Sequence, residues 1–241
     1  MPIHAIADIG VNFSSLAQAE KMIQLSKESG ASFVKLQLFN EETIKDYEQP
    51  LKDRLKPLIL SELDVMKLKA TADKAKIGFI LTPMYLDAVK IAKEYCPEYI
   101  KIRFKDRENQ ELLDAVLATG RKALISVPRM PTQPGLMYHP YIRYLYNVPK
   151  YPPEIEDFNL EVACTCPGFS SHFTNTVCDV AWAINRLHDE AFLEKHVMFT
   201  DPFSPYFESA PVDAAVSIGF HELQNLTRDL QAIEQMGRIR L

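Results

Sequence analysis

Short apolar runs rich in β-branched residues alternate with amphipathic stretches along the whole sequence. The runs have the length of buried strands, and strands that alternate with helices along a chain pair in parallel. Eight strands are predicted in this way, at residues 4–9, 33–39, 78–81, 99–104, 123–127, 142–148, 168–170 and 192–197.

The stretches between these runs show the spacing of helices that bury one face. Ser14 or Ser15 is placed to cap the first helix, and Gly30 is placed to end it. Residues 128–140 contain four prolines and a glycine, so the helix after the fifth strand should be missing or short. Helices are predicted at residues 15–29, 62–74, 85–94, 110–119, 177–187 and 220–236.

Eight strand–helix units in 241 residues predict an α/β protein whose strands close into a (β/α)8 TIM barrel. A doubly wound open sheet is the alternative, but no G-x-G-x-x-G turn follows the first run. No shift in composition marks a domain boundary, so residues 1–241 are predicted to form a single domain.

Several runs are interrupted by polar residues at alternate positions, although parallel strands buried on both faces are normally apolar throughout. Alternate residues of a strand share one face, so each interrupted strand presents its polar side chains together. In a barrel these would meet on the axis near the carboxyl ends of the strands, where active sites lie. The interrupting residues are His4, Asp8, Lys35, Gln37, Lys101, Arg103, Glu194 and His196.

Two histidines follow the last two predicted strands, His172 in GFSSH and His196 in EKH. Adjacent barrel strands would bring the two imidazoles within a few ångström of each other. Two imidazoles with positions left for water and substrate oxygens suit Mn²⁺, Co²⁺ or Zn²⁺ better than Ca²⁺ or Mg²⁺. The pair therefore predicts a divalent metal site.

Small hydroxyl residues end three of the other predicted strands. Thr82, Ser126 and Ser170 lie at these ends, and Lys101 lies in a fourth strand. Hydroxyl and ammonium groups arranged in a ring bind phosphate through charge-assisted hydrogen bonds. The pattern predicts a phosphate site beside the metal site.

Composition narrows the class of protein. The net charge is −5 and no long Lys/Arg run occurs, which argues against a nucleic-acid partner. No apolar run approaches the length of a membrane span, and we expect no signal peptide because the first residues lack a basic region. Four scattered cysteines do not form a disulfide framework, so we expect a cytoplasmic enzyme.

The motifs together resemble the sialic acid synthases, the family of N-acetylneuraminate synthase. The resemblance covers nearly the whole chain in the right order. The matching segments are IADIGVN (6–12), VKLQLF (34–39), LTP (81–83), YIKI (99–102), ALIS (123–126), KYPP (150–153), EDFNL (156–160), GFSSH (168–172), LEKH (193–196) and APVDAAVSIGFHEL (210–223).

The resemblance implies a metal-dependent barrel that condenses phosphoenolpyruvate with an N-acetylmannosamine-like amino sugar and releases phosphate. It also suggests a homodimer. The resemblance is to the barrel domain of the family only, so we expect the family's C-terminal antifreeze-like domain to be lacking. The roles implied are Asp8, Lys35 and Glu194 in catalysis, Lys101, Thr82, Ser126 and Ser170 on phosphoenolpyruvate, Gln37, Tyr151 and Asp213 on the sugar, and His172 and His196 on the metal.

The sequence departs from the family at several positions. Asp8 replaces a glutamate, Phe13 a histidine, and Phe104 a phosphate-binding serine. Two alternatives stay open for this reason. One is a 3-deoxy-ulosonate phosphate synthase, whose phosphorylated aldose would suit Arg103, Lys105 and Arg129. The other is a barrel with impaired catalysis that binds a metabolite or a protein.

Overall fold

The computed structural model describes residues 2–185, 190–207 and 211–239. Within them, eight parallel strands pair in sequence order, and β1 also pairs with β8, so the sheet closes into the predicted (β/α)8 barrel. A short extra strand, β9, continues the sheet beside β8. The strands are Ile3–Gly10 (β1), Phe33–Leu38 (β2), Gly78–Pro83 (β3), Tyr99–Ile102 (β4), Lys122–Val127 (β5), Ile142–Tyr146 (β6), Gly168–Ser171 (β7), Ala191–Met198 (β8) and Ser217–Gly219 (β9).

Local side-chain hydrogen bonds explain where several helices begin. Ser15 accepts a hydrogen bond from the Gln18 amide, and Ser61 and Asp64 form a capping box. Among the described residues, none of the helices is both long and apolar enough to cross a membrane. The helices are Leu16–Glu28 (α1), Gln49–Leu55 (α2), Glu62–Ala75 (α3), Leu86–Tyr95 (α4), Gln110–Leu117 (α5), Pro134–Met137 (α6), Leu160–Ala163 (α7), Val177–Ile184 (α8) and Phe220–Ile239 (α9).

The proline-rich segment after β5 forms only the four-residue helix α6, which confirms the short connection predicted there. The elements α2, α7 and β9 were not predicted, because such short segments carry little periodicity. The predicted helix 177–187 ends at Ile184, and its last two positions lie outside the described residues. The predicted strand 99–104 ends at Ile102, because Phe104–Asp106 forms a single 3-10 turn.

The lower part of the barrel interior is filled by apolar side chains, which we call the floor. Two ring contacts tie it together, with centroids 5.4 Å apart for Phe33 and Tyr99 and 5.2 Å apart for Tyr99 and Phe192. At Gly168 on β7, an added Cβ would lie 2.6 Å from Leu145 Cγ, so the packing leaves no room for a side chain. The floor consists of Ile6, Phe33, Ile80, Tyr99, Leu124, Leu145 and Phe192.

A polar layer lies directly above the floor. Seven of the eight barrel strands contribute one member each, and Asn147 directly follows the sixth, β6. Each member lies two residues beyond a floor residue or, for Ser170, beyond Gly168, which is the spacing that keeps side chains on one face. All eight members are buried. The members of the polar layer are Asp8, Lys35, Thr82, Lys101, Ser126, Asn147, Ser170 and Glu194.

Candidate active site

A cavity of about 680 Å³ lies above the polar layer, at the carboxyl ends of the strands. This is the end of a barrel where active sites are built. Of the twelve predicted site residues, Thr82 does not line the cavity. The others do, and they are Asp8, Lys35, Gln37, Lys101, Ser126, Tyr151, Ser170, His172, Glu194, His196 and Asp213.

Buried charges of both signs alternate across the polar layer. Lys35 Nζ lies 2.7 Å from Asp8 Oδ2 and 3.8 Å from Glu194 Oε2. Lys101 Nζ lies 3.6 Å from Glu194 Oε1. Burial alone would lower the pKa of Lys35, but the Asp8 and Glu194 carboxylates outweigh it and raise that pKa. Burial would raise the pKa of Glu194, but Lys101 and Lys35 hold it at about 2.

Lys101 differs electrostatically from Lys35. Its Nζ donates to Ser126 Oγ at 2.6 Å and to the Ile102 carbonyl at 3.3 Å. Burial lowers the pKa of Lys101 to about 8, since Glu194 compensates only in part and Lys35 repels the charge. A buried ammonium group that lacks full compensation is suited to an anionic ligand.

The two predicted metal ligands face each other. The ring centroids of His172 and His196 are 5.3 Å apart and the rings are 27° from parallel. Burial, and then His196, lowers the pKa of His172 well below its usual range, which favours the neutral imidazole that a metal ion requires. Asn147 Nδ2 lies 3.0 Å from His172 Nδ1 and donates to the Ser170 carbonyl at 3.1 Å, so Asn147 orients the His172 ring.

The donor atoms around the histidines fit a divalent ion held by two imidazoles. Asp8 Oδ1, Glu194 Oε2 and His196 Nδ1 are buried and lack a hydrogen-bond partner within the described part of the chain. Such orphaned atoms are normally satisfied by a ligand or water. No group of three or more His, Cys, Asp or Glu side chains among the described residues is arranged to hold a metal. His172 and His196 are the side chains at this place whose chemistry would suit a divalent ion.

The mouth of the cavity brings together the three predicted sugar-binding residues. Tyr151 Oη donates to Asp213 Oδ1 at 2.7 Å, and burial together with Asp213 raises the pKa of Tyr151. A Cβ added at Gly10 would lie 3.3 Å from Gln37 Nε2 and 3.4 Å from Asp213 Oδ2, and the positive φ of 48° there also favours glycine. Gln37 and Asp213 therefore approach the same point of the backbone.

Asn12 was not singled out from the sequence, yet it holds the mouth in place. Its Nδ2 donates to the Val197 carbonyl at 3.0 Å and to Ser217 Oγ at 2.8 Å. Its Oδ1 accepts from the Asp213 amide at 2.9 Å. An asparagine three residues beyond the end of the first predicted strand was the available signal.

The positions that depart from the family lie in different environments. Phe13 is buried in the hydrophobic core, whereas Phe104 lines the cavity. Arg103 pairs with Asp106, and Lys105 Nζ lies 5.3 Å from the centroid of the Tyr47 ring. Arg129 is exposed and does not line the cavity. Of the three cations considered for a phosphorylated aldose, Arg103 and Lys105 therefore line the cavity and Arg129 does not.

Known proteins share both sequence and fold with this chain. The NeuB family profile matches residues 22–130. Uncharacterized protein MJ1065 of Methanocaldococcus jannaschii is 24% identical over 98% of this chain and 72% of its own length.

Three solved structures share the fold over 98% of this chain. N-acetylneuraminic acid (sialic acid) synthetase of Leptospira borgpetersenii is 23% identical, with a TM-score of 0.84 and 85% of its chain covered. A spore coat polysaccharide biosynthesis protein of Bacillus subtilis is 18% identical, with a TM-score of 0.76 and 69% covered. A truncated 3-deoxy-D-arabino-heptulosonate 7-phosphate synthase of Thermotoga maritima is 13% identical, with a TM-score of 0.67 and 88% covered. The chain is therefore a single (β/α)8 barrel that carries the NeuB family pattern over residues 22–130 and the fold of sialic acid synthase structures.

Proposed function

We propose that this barrel condenses phosphoenolpyruvate with an unphosphorylated, N-acetylmannosamine-like amino sugar to give a sialic-acid-type nonulosonate and phosphate. The observation that carries the proposal is the shared cavity of two buried ammonium groups and two facing imidazoles. The NeuB family match and the likeness to a sialic acid synthetase support the same reaction class.

In the proposed reaction, Lys101, Ser126 and Ser170 bind the phosphate of phosphoenolpyruvate. Lys101 Nζ and Ser126 Oγ already form one hydrogen-bonded unit, 2.6 Å apart. Ser170 Oγ donates to Glu194 Oε1 at 2.7 Å and can turn towards a phosphate oxygen instead. Lys35 balances the remaining negative charge of the substrate from the opposite side of Glu194.

The chemistry joins C3 of phosphoenolpyruvate to the aldehyde carbon of the sugar, and the aldehyde oxygen takes up a proton. Water then adds to C2 and gives up one proton. The new C2 hydroxyl loses its proton as the bond from C2 to the phosphate oxygen breaks, which leaves a ketone and releases phosphate. The two protons of this water balance the proton taken up by the aldehyde oxygen and the proton carried away by the phosphate. Asp8 Oδ1 has no partner within the described residues and is the acceptor we assign to the proton of this water. Glu194 carries a carboxylate at neutral pH and steadies positive charge that develops at C2.

The sugar lies nearer the mouth, against Gln37, Tyr151 and Asp213. His172 and His196 are the residues that would hold the metal, and Mn²⁺, Co²⁺ or Zn²⁺ would supply Lewis-acid polarisation of the sugar aldehyde. Tyr151 packs edge-on against His172, with ring centroids 4.8 Å apart, so the sugar contacts and the imidazole pair are adjacent.

The test is release of inorganic phosphate from phosphoenolpyruvate with Mn²⁺ and a panel of aldoses, with and without phosphate groups. We expect turnover with an unphosphorylated amino sugar and a loss of at least about 100-fold in His196→Ala. His221→Ala is the matched control, because His221 is exposed on α9. Turnover only with phosphorylated aldoses, or none with any aldose, would overturn the proposal.

Thr82 allows a separate test of the phosphate site. Its hydroxyl is buried without a hydrogen-bond partner in the described part of the chain, and it does not line the cavity. We therefore expect Thr82→Val to keep the free energy of unfolding within about 1 kcal/mol or raise it, since no hydrogen bond is lost. The affinity for phosphoenolpyruvate, measured by calorimetry, should change less than about twofold. A tenfold loss of affinity would show that Thr82 is part of the phosphate site.

A further inference from the structure

One side of the cavity is apolar, in contrast to the polar layer beneath it. Its residues come from the segment between β2 and α3 and from the ends of β3 and β4, so they stand above the strands rather than inside the barrel. We call this surface the apolar wall, and it consists of Phe39, Ile44, Leu51, Leu55, Met84 and Phe104.

The apolar wall is held in place by its own packing. Ile44 and Leu55 are buried in the hydrophobic core, and Leu51 packs partly buried against the same core. Tyr47 ties the segment to the residues on either side of Phe104, because its Oη accepts from Arg103 Nη1 at 3.5 Å and its ring lies under Lys105 Nζ. A surface anchored in this way is available to a ligand without an ordering cost.

Two cations that line the cavity, Arg103 and Lys150, already have carboxylate partners, whereas Lys105 lies over the Tyr47 ring. Arg103 contacts both carboxylate oxygens of Asp106. Lys150 Nζ lies 2.8 Å from Asp157 Oδ2. A phosphate bound at Arg103 or Lys150 would have to compete with a carboxylate, whereas an apolar group on the wall would displace only water.

We propose that the acceptor aldehyde carries an uncharged, aliphatic substituent larger than an acetyl group, which lies on the apolar wall while the aldehyde reaches the imidazole pair. This inference rests on the proposed function, since it names the class of acceptor for the same cavity. It makes Leu51 and Phe104 specificity-determining residues.

Calorimetric titration with mannosamines that carry N-acetyl, N-butanoyl and N-hexanoyl groups, in Mn²⁺ and inorganic phosphate, tests this assignment. Each methylene buried on the wall should tighten Kd by up to about fourfold. In Leu51→Asn the gain with chain length should disappear. Leu63→Asn should keep it, because Leu63 is 54% exposed on α3 and lies outside the cavity lining.

Three results would overturn the inference: a Kd that is independent of chain length, tighter binding of mannosamine 6-phosphate than of the N-butanoyl sugar, or no binding of any sugar. The titration requires no turnover. Chain-length-dependent binding without phosphate release from phosphoenolpyruvate would therefore contradict the proposed reaction and leave the apolar specificity of the cavity standing.

Discussion

Lys101→Met is expected to weaken phosphoenolpyruvate binding by roughly 100-fold, because a buried charge that pairs with the ligand is lost. Lys101 is almost fully buried, and its Nζ contacts Ser126 Oγ and faces Glu194. The measurement is the dissociation constant of phosphoenolpyruvate, obtained by calorimetry on the folded variant. Lys27→Met, on the exposed side of α1, is the matched control and should leave that constant unchanged.

The same lysine should make binding depend on pH. Burial lowers the pKa of Lys101 to about 8, so its ammonium form predominates below that pH and is lost above it. In the wild-type chain, phosphoenolpyruvate affinity should fall by up to about tenfold for each pH unit above 8. The Lys101→Met variant should lack this slope, and an unchanged slope in the variant would assign the titration to another group.

Lys195→Met is expected to lower the free energy of unfolding by about 3–5 kcal/mol. Unlike Lys101, Lys195 points away from the barrel axis, where its Nζ donates to Asp179 Oδ2 at 2.7 Å and to Ser171 Oγ at 3.0 Å. Both charged side chains are fully buried. Removing the ammonium group leaves the Asp179 carboxylate without compensation in a medium of low dielectric. Denaturation by urea, followed by circular dichroism, measures the change.

Two further variants test whether the unpaired Asp179 carboxylate causes the loss of stability in Lys195→Met. The double variant Lys195→Met/Asp179→Leu removes both charges and should regain most of the lost stability. Lys150→Met breaks a half-exposed pair with Asp157 and should cost at most about 1 kcal/mol. If Lys195→Met loses as little as Lys150→Met, the buried pair does not stabilise the fold in the way described.

The barrel could be predicted because its strands repeat one pattern. Lys35, Lys101 and Glu194 each interrupt an apolar run at the position that faces the axis, so period-2 spacing alone brought them together. The segment that bears the apolar wall could not be predicted. Its helix α2 has only seven residues, and the sequence does not show that the apolar residues of α2 line the cavity.

Hydrogen-bond geometry was the part of the site that sequence reasoning could not reach. Asn147 and Asn12 act through backbone carbonyls and amides supplied by other strands, and such partners leave no mark on the local pattern. Thr82 shows the converse, because its position in the pattern matches that of Ser126, yet only Ser126 is among the residues that line the cavity. Position along a strand therefore predicts the face of a side chain but not whether that side chain contacts the cavity.

The packed floor closes the barrel beneath the charged groups, so the described residues leave the cavity open at the carboxyl ends of the strands. Lys101 lies at the bottom, whereas Tyr151 is 53% exposed at the rim. In the proposed reaction, phosphoenolpyruvate must then arrive before the sugar. The released phosphate stays behind the sugar acid until that product departs, so a bulky sugar lodged at the rim would trap phosphate inside.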